Sequence, residues 1–172
     1  MAEEIVQNAN IESIYILRPR AVYGANDRIL LPRIQERFIN GRIVIPGDLK
    51  VKSSLTHVDN IVEVIKAAIQ AREKGVSIYN VADKDPYLLR DVFSKIGLLK
   101  ATNIKFIQLP LVLVRAVVNF CNRMKIPILL SRQSIDYITL PSTLDTTQVR
   151  KSLGVNLENN LDSFLVSARK VQ

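Results

Sequence analysis

The stretch "IYILRPRAVYGANDR", Ile14–Arg28, opens on four consecutive apolar residues and closes in a polar turn. Apolar residues on successive positions suit a strand covered on both faces, as in a parallel sheet, better than the alternation of a half-exposed strand. Pro19 lacks the N–H that a central ladder needs, and Gly24, Asn26 and Asp27 supply turn chemistry, so the strand should give way to a loop here. In open α/β sheets, ligands bind at the carboxyl ends of strands. This exit is therefore the first candidate for a site, set against the plain alternative of a strand running into a loop.

Working outward, "VSIYNVA" at 76–82 reads as a second core strand. Nearly sixty residues carrying helices separate it from the first, the crossover connection of a parallel sheet enlarged by an insertion. Within that insertion Leu31, Ile34 and Phe38 predict a helix over about 30–40 ending at Gly41, and "RIVIPGD" predicts a strand and turn over 42–48. "SSLTHV" at 53–58 reads as a short strand. The helix after it places Ile61, Val64, Ile65, Ala68 and Ile69 on one apolar face, with Asn60 and Glu63 spaced as a capping box or Asp59 as the cap. Helices are expected over 2–9, 87–96 up to Gly97, 110–125, 131–138, 146–153 and 157–170, with a strand at "IKFIQLP". Thr146 or Thr147 suits an N-cap and Gly154 a C-terminal cap. No capping residue precedes the first helix, as though the chain enters it already under way.

Composition narrows the function. The 172 residues carry 24 Lys and Arg against 16 Asp and Glu, a net charge of +8 and a pI near 9.8, with a mean hydropathy of +0.12. The basic residues are dispersed and not interleaved with aromatics, so nucleic acid is not expected as a partner. Cys121 is the single cysteine, which excludes an internal disulfide, and one cysteine with one histidine makes no metal-ligand set. The polar opening lacks a signal-peptide core and no apolar run approaches the roughly 18 residues of a membrane span, so a soluble, cytoplasmic protein is expected. The segment Leu109–Leu130, apolar on most sides and carrying Arg115, Arg123 and Lys125, reads as a buried helix lining a pocket, with attachment to a membrane surface as the weaker alternative.

Taken in order, "LRPRAVYG" with "AND", "HVDNIVEVIKAAI", "YNVADKDPYLLRDVF" and "LDTTQVRKSLG" resemble the C-terminal half of an extended short-chain dehydrogenase/reductase, the NAD-dependent epimerase/dehydratase superfamily. The resemblance implies an α/β fold: the C-terminal part of a Rossmann-like parallel sheet, with core strands at about 13–18 and 76–81, plus a small, mostly helical substrate-binding lobe at 24–60 and 83–172. It implies that Pro19, Ala21 and Val22 border the nicotinamide end of NAD or NADP, and that Tyr23, Asn26, Lys52 and His57 face a small-molecule substrate. His57 has a plainer reading as a packed core residue. Nucleotide-sugar enzymes of this kind commonly carry an Arg shortly before the "HV", where this chain has Ser53 and Ser54, and a hydroxyl does not replace a guanidinium on phosphate. The "VDN" form leans toward the branch of 3-beta-hydroxysteroid dehydrogenases and sterol-like reductases.

Two features of the family are not in these residues. The six glycines never reach GxxGxxG spacing, and none of Tyr15, Tyr23, Tyr79, Tyr87 and Tyr137 has a Lys four positions on. The chain accordingly reads as one partial domain without the cofactor-binding half and without a catalytic residue of its own, expected to be inactive and to hold NAD or NADP only weakly when alone. The competing reading is a stand-alone binding or regulatory module that self-associates.

Overall fold

The structure, a computed structural model, describes residues 2–71, 73–99, 104–126 and 132–171. In chain order its elements are α1 (Ala2–Gln7), β1 (Ser13–Pro19), β2 (Val22–Tyr23), α2 (Leu30–Glu36), β3 (Arg42–Pro46), β4 (Lys52–Ser53), β5 (Thr56–His57) and α3 (Val58–Ala71). They continue with β6 (Gly75–Val81), β7 (Tyr87–Leu88), α4 (Leu89–Gly97), β8 (Lys105–Leu109), α5 (Leu111–Arg123), α6 (Arg132–Thr139), α7 (Thr147–Leu153) and α8 (Leu161–Val171). The chain divides into two compact units, one of Met1–Asn26, Ser54–Pro86 and Leu144–Val171, the other of Asp27–Ser53 and Tyr87–Thr143.

In the first unit the quoted stretch forms the expected strand. β1 and β6 run parallel in register from Ser13 opposite Gly75 to Pro19 opposite Val81. Pro19 is tolerated because it is the last residue of the ladder. The core gathers Val64 of α3, Tyr79 and Val81 of β6, Val149 of α7, Val155 and Leu157, with Tyr15, Leu17 and Ile61 packed against them. The apolar face read along α3 is only partly used: Val64 and Ala68 are buried, whereas Ile65 and Ile69 remain exposed. Gly154 closes α7 with φ +65, the left-handed cap expected of it. The start of α7 is held by Asp145, which accepts the Thr147 N–H at 2.8 Å, while the Thr146 hydroxyl makes no cap.

The second unit pairs β3 with β8 in parallel and β4 with β7 antiparallel, and packs α2 against α4 around buried Leu31, Ile34, Phe38, Val92, Phe93 and Ile96. Gly97 is required there, since a Cβ on it would lie 2.6 Å from Phe38 Cζ and 2.7 Å from Ile104 Cδ1. The helix expected over 30–40 stops at Glu36. Asn40 and Gly41 take left-handed φ values of 49° and 72°, and Ile39 and Arg42 exchange both backbone hydrogen bonds, at 2.8 and 2.9 Å. This is the tight Asn-Gly reversal that favours two positive φ angles, and it ends the helical run four residues early. The α5 expectation also needs correction. Only Val114 and Val118 of this helix are buried, clustered with Ile135 of α6, and most of its other apolar side chains are exposed; Pro127–Leu130 lie outside the described residues.

Candidate functional site

The carboxyl end of β1 is fixed by one hydroxyl. Thr56, fully buried, lies with its Oγ1 2.8 Å from the Arg20 carbonyl and 2.9 Å from the Val81 carbonyl, and accepts the Arg20 N–H at 3.1 Å. Its single proton serves both carbonyls, so one side chain ties the exit of β1 to the end of β6. The Thr56 N–H in turn donates to the Ala21 carbonyl, and β2 pairs in parallel with β5 directly after. Ala21 sits at φ +46, a left-handed backbone that a residue with a Cβ adopts only where its surroundings hold it there. Pro19 and Val22 are exposed on either side of it.

Below this rim lies a buried polar cluster centred on Asp83, just past β6. Its carboxylate accepts the Tyr23 O–H at 2.5 Å on one oxygen, and the His57 N–H and the Asn60 side-chain amide, each at 2.8 Å, on the other. Asp83, Tyr23, His57 and Asn60 are all nearly inaccessible. Burying a carboxylate is costly unless donors surround it, and three do so here. The His57 and Tyr23 rings meet edge-on with centroids 5.0 Å apart, and Phe164 of α8 packs against both. Asn60 also binds Glu158 on both sides of its amide: its Nδ2 donates to the Glu158 carbonyl at 2.9 Å and its Oδ1 accepts the Glu158 N–H at 3.3 Å. Asn60 therefore lies inside α3 and ties the helix to the segment before α8, in place of the capping role its spacing suggested.

The structure thus brings Pro19, Ala21, Val22, Tyr23 and His57 to one end of the β1–β6 pair. Ala21 and Val22 line the rim, and Tyr23 and His57 form its buried foundation. Asn26 is exposed with φ +64 in the turn. Lys52 belongs to the second unit, where it pairs with Leu88. Ser53 and Ser54 are both buried, and Ser54 Oγ accepts the Leu144 N–H at 2.9 Å. Reading the sequence missed Thr56 and Asp83, the two residues that organise the site. The available signal was a polar residue placed where a strand ends, "NVAD" for Asp83 and "LTHV" for Thr56. Among the described residues no group of three His, Cys, Asp or Glu side chains is placed to hold a metal ion.

A second feature of the first unit is a concavity of about 640 Å³, walled by Ser13, Tyr15 and Leu17 of β1 and Ile65, Ala68 and Ile69 of α3. It uses the part of the α3 face that finds no cover in the core. Among the described residues β1 and β6 pair only with each other, so each leaves a strand edge open.

Residues 1–82 match the NAD dependent epimerase/dehydratase family. The 2-alkyl-3-oxoalkanoate reductase of Stenotrophomonas maltophilia strain K279a is 30% identical over 102 residues, covering 56% of this chain and 31% of the reductase. The UDP-glucuronic acid 4-epimerase from Bacillus cereus, solved with UDP-glucuronic acid and NAD, superposes with a TM-score of 0.65 at 16% identity, over 98% of this chain and 47% of the epimerase. RMD from Pseudomonas aeruginosa, complexed with NADPH, superposes with a TM-score of 0.57 at 12% identity, over 92% of this chain and 48% of that one. These superpositions establish a Rossmann-type α/β fold, and the chain spans about half the length of the solved structures and 31% of the reductase. The match to the NAD dependent epimerase/dehydratase family thus covers the first 82 residues, slightly under half of the chain, and the likeness in fold to the solved structures continues through the rest.

Proposed function

We propose that this chain forms the substrate-side portion of an NAD(P)-dependent oxidoreductase, in which the rim at Pro19, Ala21 and Val22 borders the nicotinamide. The observation that carries this reading is the exit of β1, held by Thr56 and forced into a left-handed turn at Ala21. Such a turn presents backbone groups outward at the strand end where this fold takes its ligand. The cofactor, when bound, would supply hydride transfer. The residues of this chain would shape the wall against which the nicotinamide lies and keep that wall rigid. In the same reading Tyr23 and His57 act from below, as the support of the substrate wall, with Asn26 and Lys52 as further substrate-side residues.

For the substrate, we favour a carbonyl compound with apolar substituents over a nucleotide sugar. Positions 53 and 54 hold buried hydroxyls, with the Ser54 oxygen accepting from a backbone N–H, which leaves no guanidinium there for a diphosphate. The curated relative is named as a reductase of a 2-alkyl-3-oxoalkanoate, which points the same way. The open edge of β1 and the groove beside it are read as the seat of further strands and a helix from the remaining half of the enzyme.

Calorimetric titration with NADH and NADPH tests the division of labour. The 172-residue chain alone should bind neither in the micromolar range, and the same chain joined to a family-type cofactor-binding half should bind one of them. Micromolar binding by the chain alone would defeat the reading. A chain that binds no cofactor in either form and runs as a discrete oligomer would favour the self-associating module.

A further inference from the structure

We infer that the second unit carries a docking surface for an anionic lipid bilayer, built on the outer face of α5. A helix that packs on one neighbour needs an apolar face only as wide as that contact, and α5 carries a wider one than its neighbour covers. Val114 and Val118 are turned into the cluster with Ile135. Leu113, Val117, Phe120 and Met124, spaced by four, three and four residues along the flank beside that buried face, are each more than half exposed, and Val112 at the start of the helix is 82% exposed. The polar strip of Arg115, Asn119 and Asn122 lies on the other flank of the buried face. Packing within the unit therefore does not account for the outer apolar stripe.

Charge selects the occupant. The first unit holds ten Lys and Arg against eleven Asp and Glu, and the second fourteen against five, so the chain's whole excess of +8 comes from a net +9 in the unit that carries α5. Arg123 at the end of the helix and Lys125 just beyond it are exposed beside Met124, and Arg115 in the polar strip holds Asp136 of α6 at 3.0 Å. An exposed stripe of Leu, Val, Phe and Met with cations at its border is the arrangement that lies in the interfacial plane of a membrane, where apolar burial and attraction to acidic headgroups act together. Among the described residues no helix is long and apolar enough to cross a membrane, so the attachment inferred is peripheral.

The inference is independent of the cofactor reading and is tested apart from it. Co-sedimentation of the 172-residue chain with vesicles of phosphatidylcholine alone, and of phosphatidylcholine mixed with phosphatidylglycerol, should show binding to the mixed vesicles that weakens as salt is raised. The double variant Leu113→Asp with Phe120→Asp should lower that binding by about tenfold or more, with its circular dichroism and melting unchanged because both positions are exposed. Ile69→Asp, at an exposed apolar position in the first unit, should bind as the parent does. The chain contains no tryptophan, so Phe120→Trp gives a single reporter whose emission should shift to the blue on the mixed vesicles. Absent binding, equal binding to neutral and anionic vesicles, or binding untouched by the double variant would overturn the proposal. A dimer that the double variant dissolves, with no vesicle binding, would assign the stripe to a second copy of the chain instead.

Discussion

Thr56 and Asp83 are small residues with large structural reach, and each can be tested by removing only its polar atoms. Thr56→Val keeps the shape and deletes the hydroxyl that serves two carbonyls and one N–H, leaving buried groups unsatisfied; we expect a loss of about 1–3 kcal/mol in urea denaturation. Tyr23→Phe should cost less than Asp83→Ala, because the first removes one donor from the cluster while the second strands three. Ala21 makes a sharper test of the site. A β-branched residue resists φ +46, so Ala21→Val in the complete enzyme should raise the KM for NAD or NADP severalfold, with a smaller effect on melting than Thr56→Val. Gly24 is constrained by space: a Cβ there would lie 2.5 Å from Val58 Cγ1, and Gly24→Ala should destabilise by about 1–3 kcal/mol.

At the scale of elements, the loops before the short helices hold them in place. Asp27 accepts the backbone N–H groups of Ile29, Leu30 and Leu31 at 2.8–3.0 Å ahead of α2, so Asp27→Ala should cost about 1 kcal/mol. Asp145 serves α7 in the same way. The Thr147 hydroxyl and then its N–H hold the exposed Asp145 carboxyl below the ordinary carboxylate range. Its contribution is thus present at neutral pH and lost as pH falls through that lowered range, so the gap in melting temperature between the parent and Asp145→Ala should narrow on acidification. These elements also show what the sequence made legible. β1, β6, α3 and the Gly154 cap could be read because each depends on a local pattern: an apolar run, a helical period, a glycine after a helix. The end of α2 could not be read from its period, since Phe38 continues the spacing while Asn40-Gly41 reverses the chain. The roles of Thr56, Asn60 and Asp83 depend on partners 23 to 98 residues away, and no local pattern carries that information. α5 misled for a related reason: an apolar helix looks the same in sequence whether protein covers the whole of its apolar face or only part of it.

Across the whole molecule, each unit has an incomplete surface of its own kind. The first unit leaves a strand edge and an apolar groove at β1, next to the rim assigned to the nicotinamide, and is close to neutral in charge. The second unit exposes the α5 stripe and carries the positive excess. On this account the groove takes the remainder of the enzyme and the stripe takes a membrane surface, so the two should respond independently to mutation. Leu113→Asp with Phe120→Asp should leave cofactor affinity in the complete enzyme unchanged, and Ala21→Val should leave vesicle binding unchanged. The central claim is that this chain forms one wall of a dinucleotide site whose other wall lies in further sequence of the same protein. The most direct measurement is the size of the native polypeptide in its source cells, detected with an antibody raised against residues 1–172. The account predicts a product roughly twice the length of this chain, since the chain spans 47% of the Bacillus cereus epimerase; a stable product of 172 residues would contradict it.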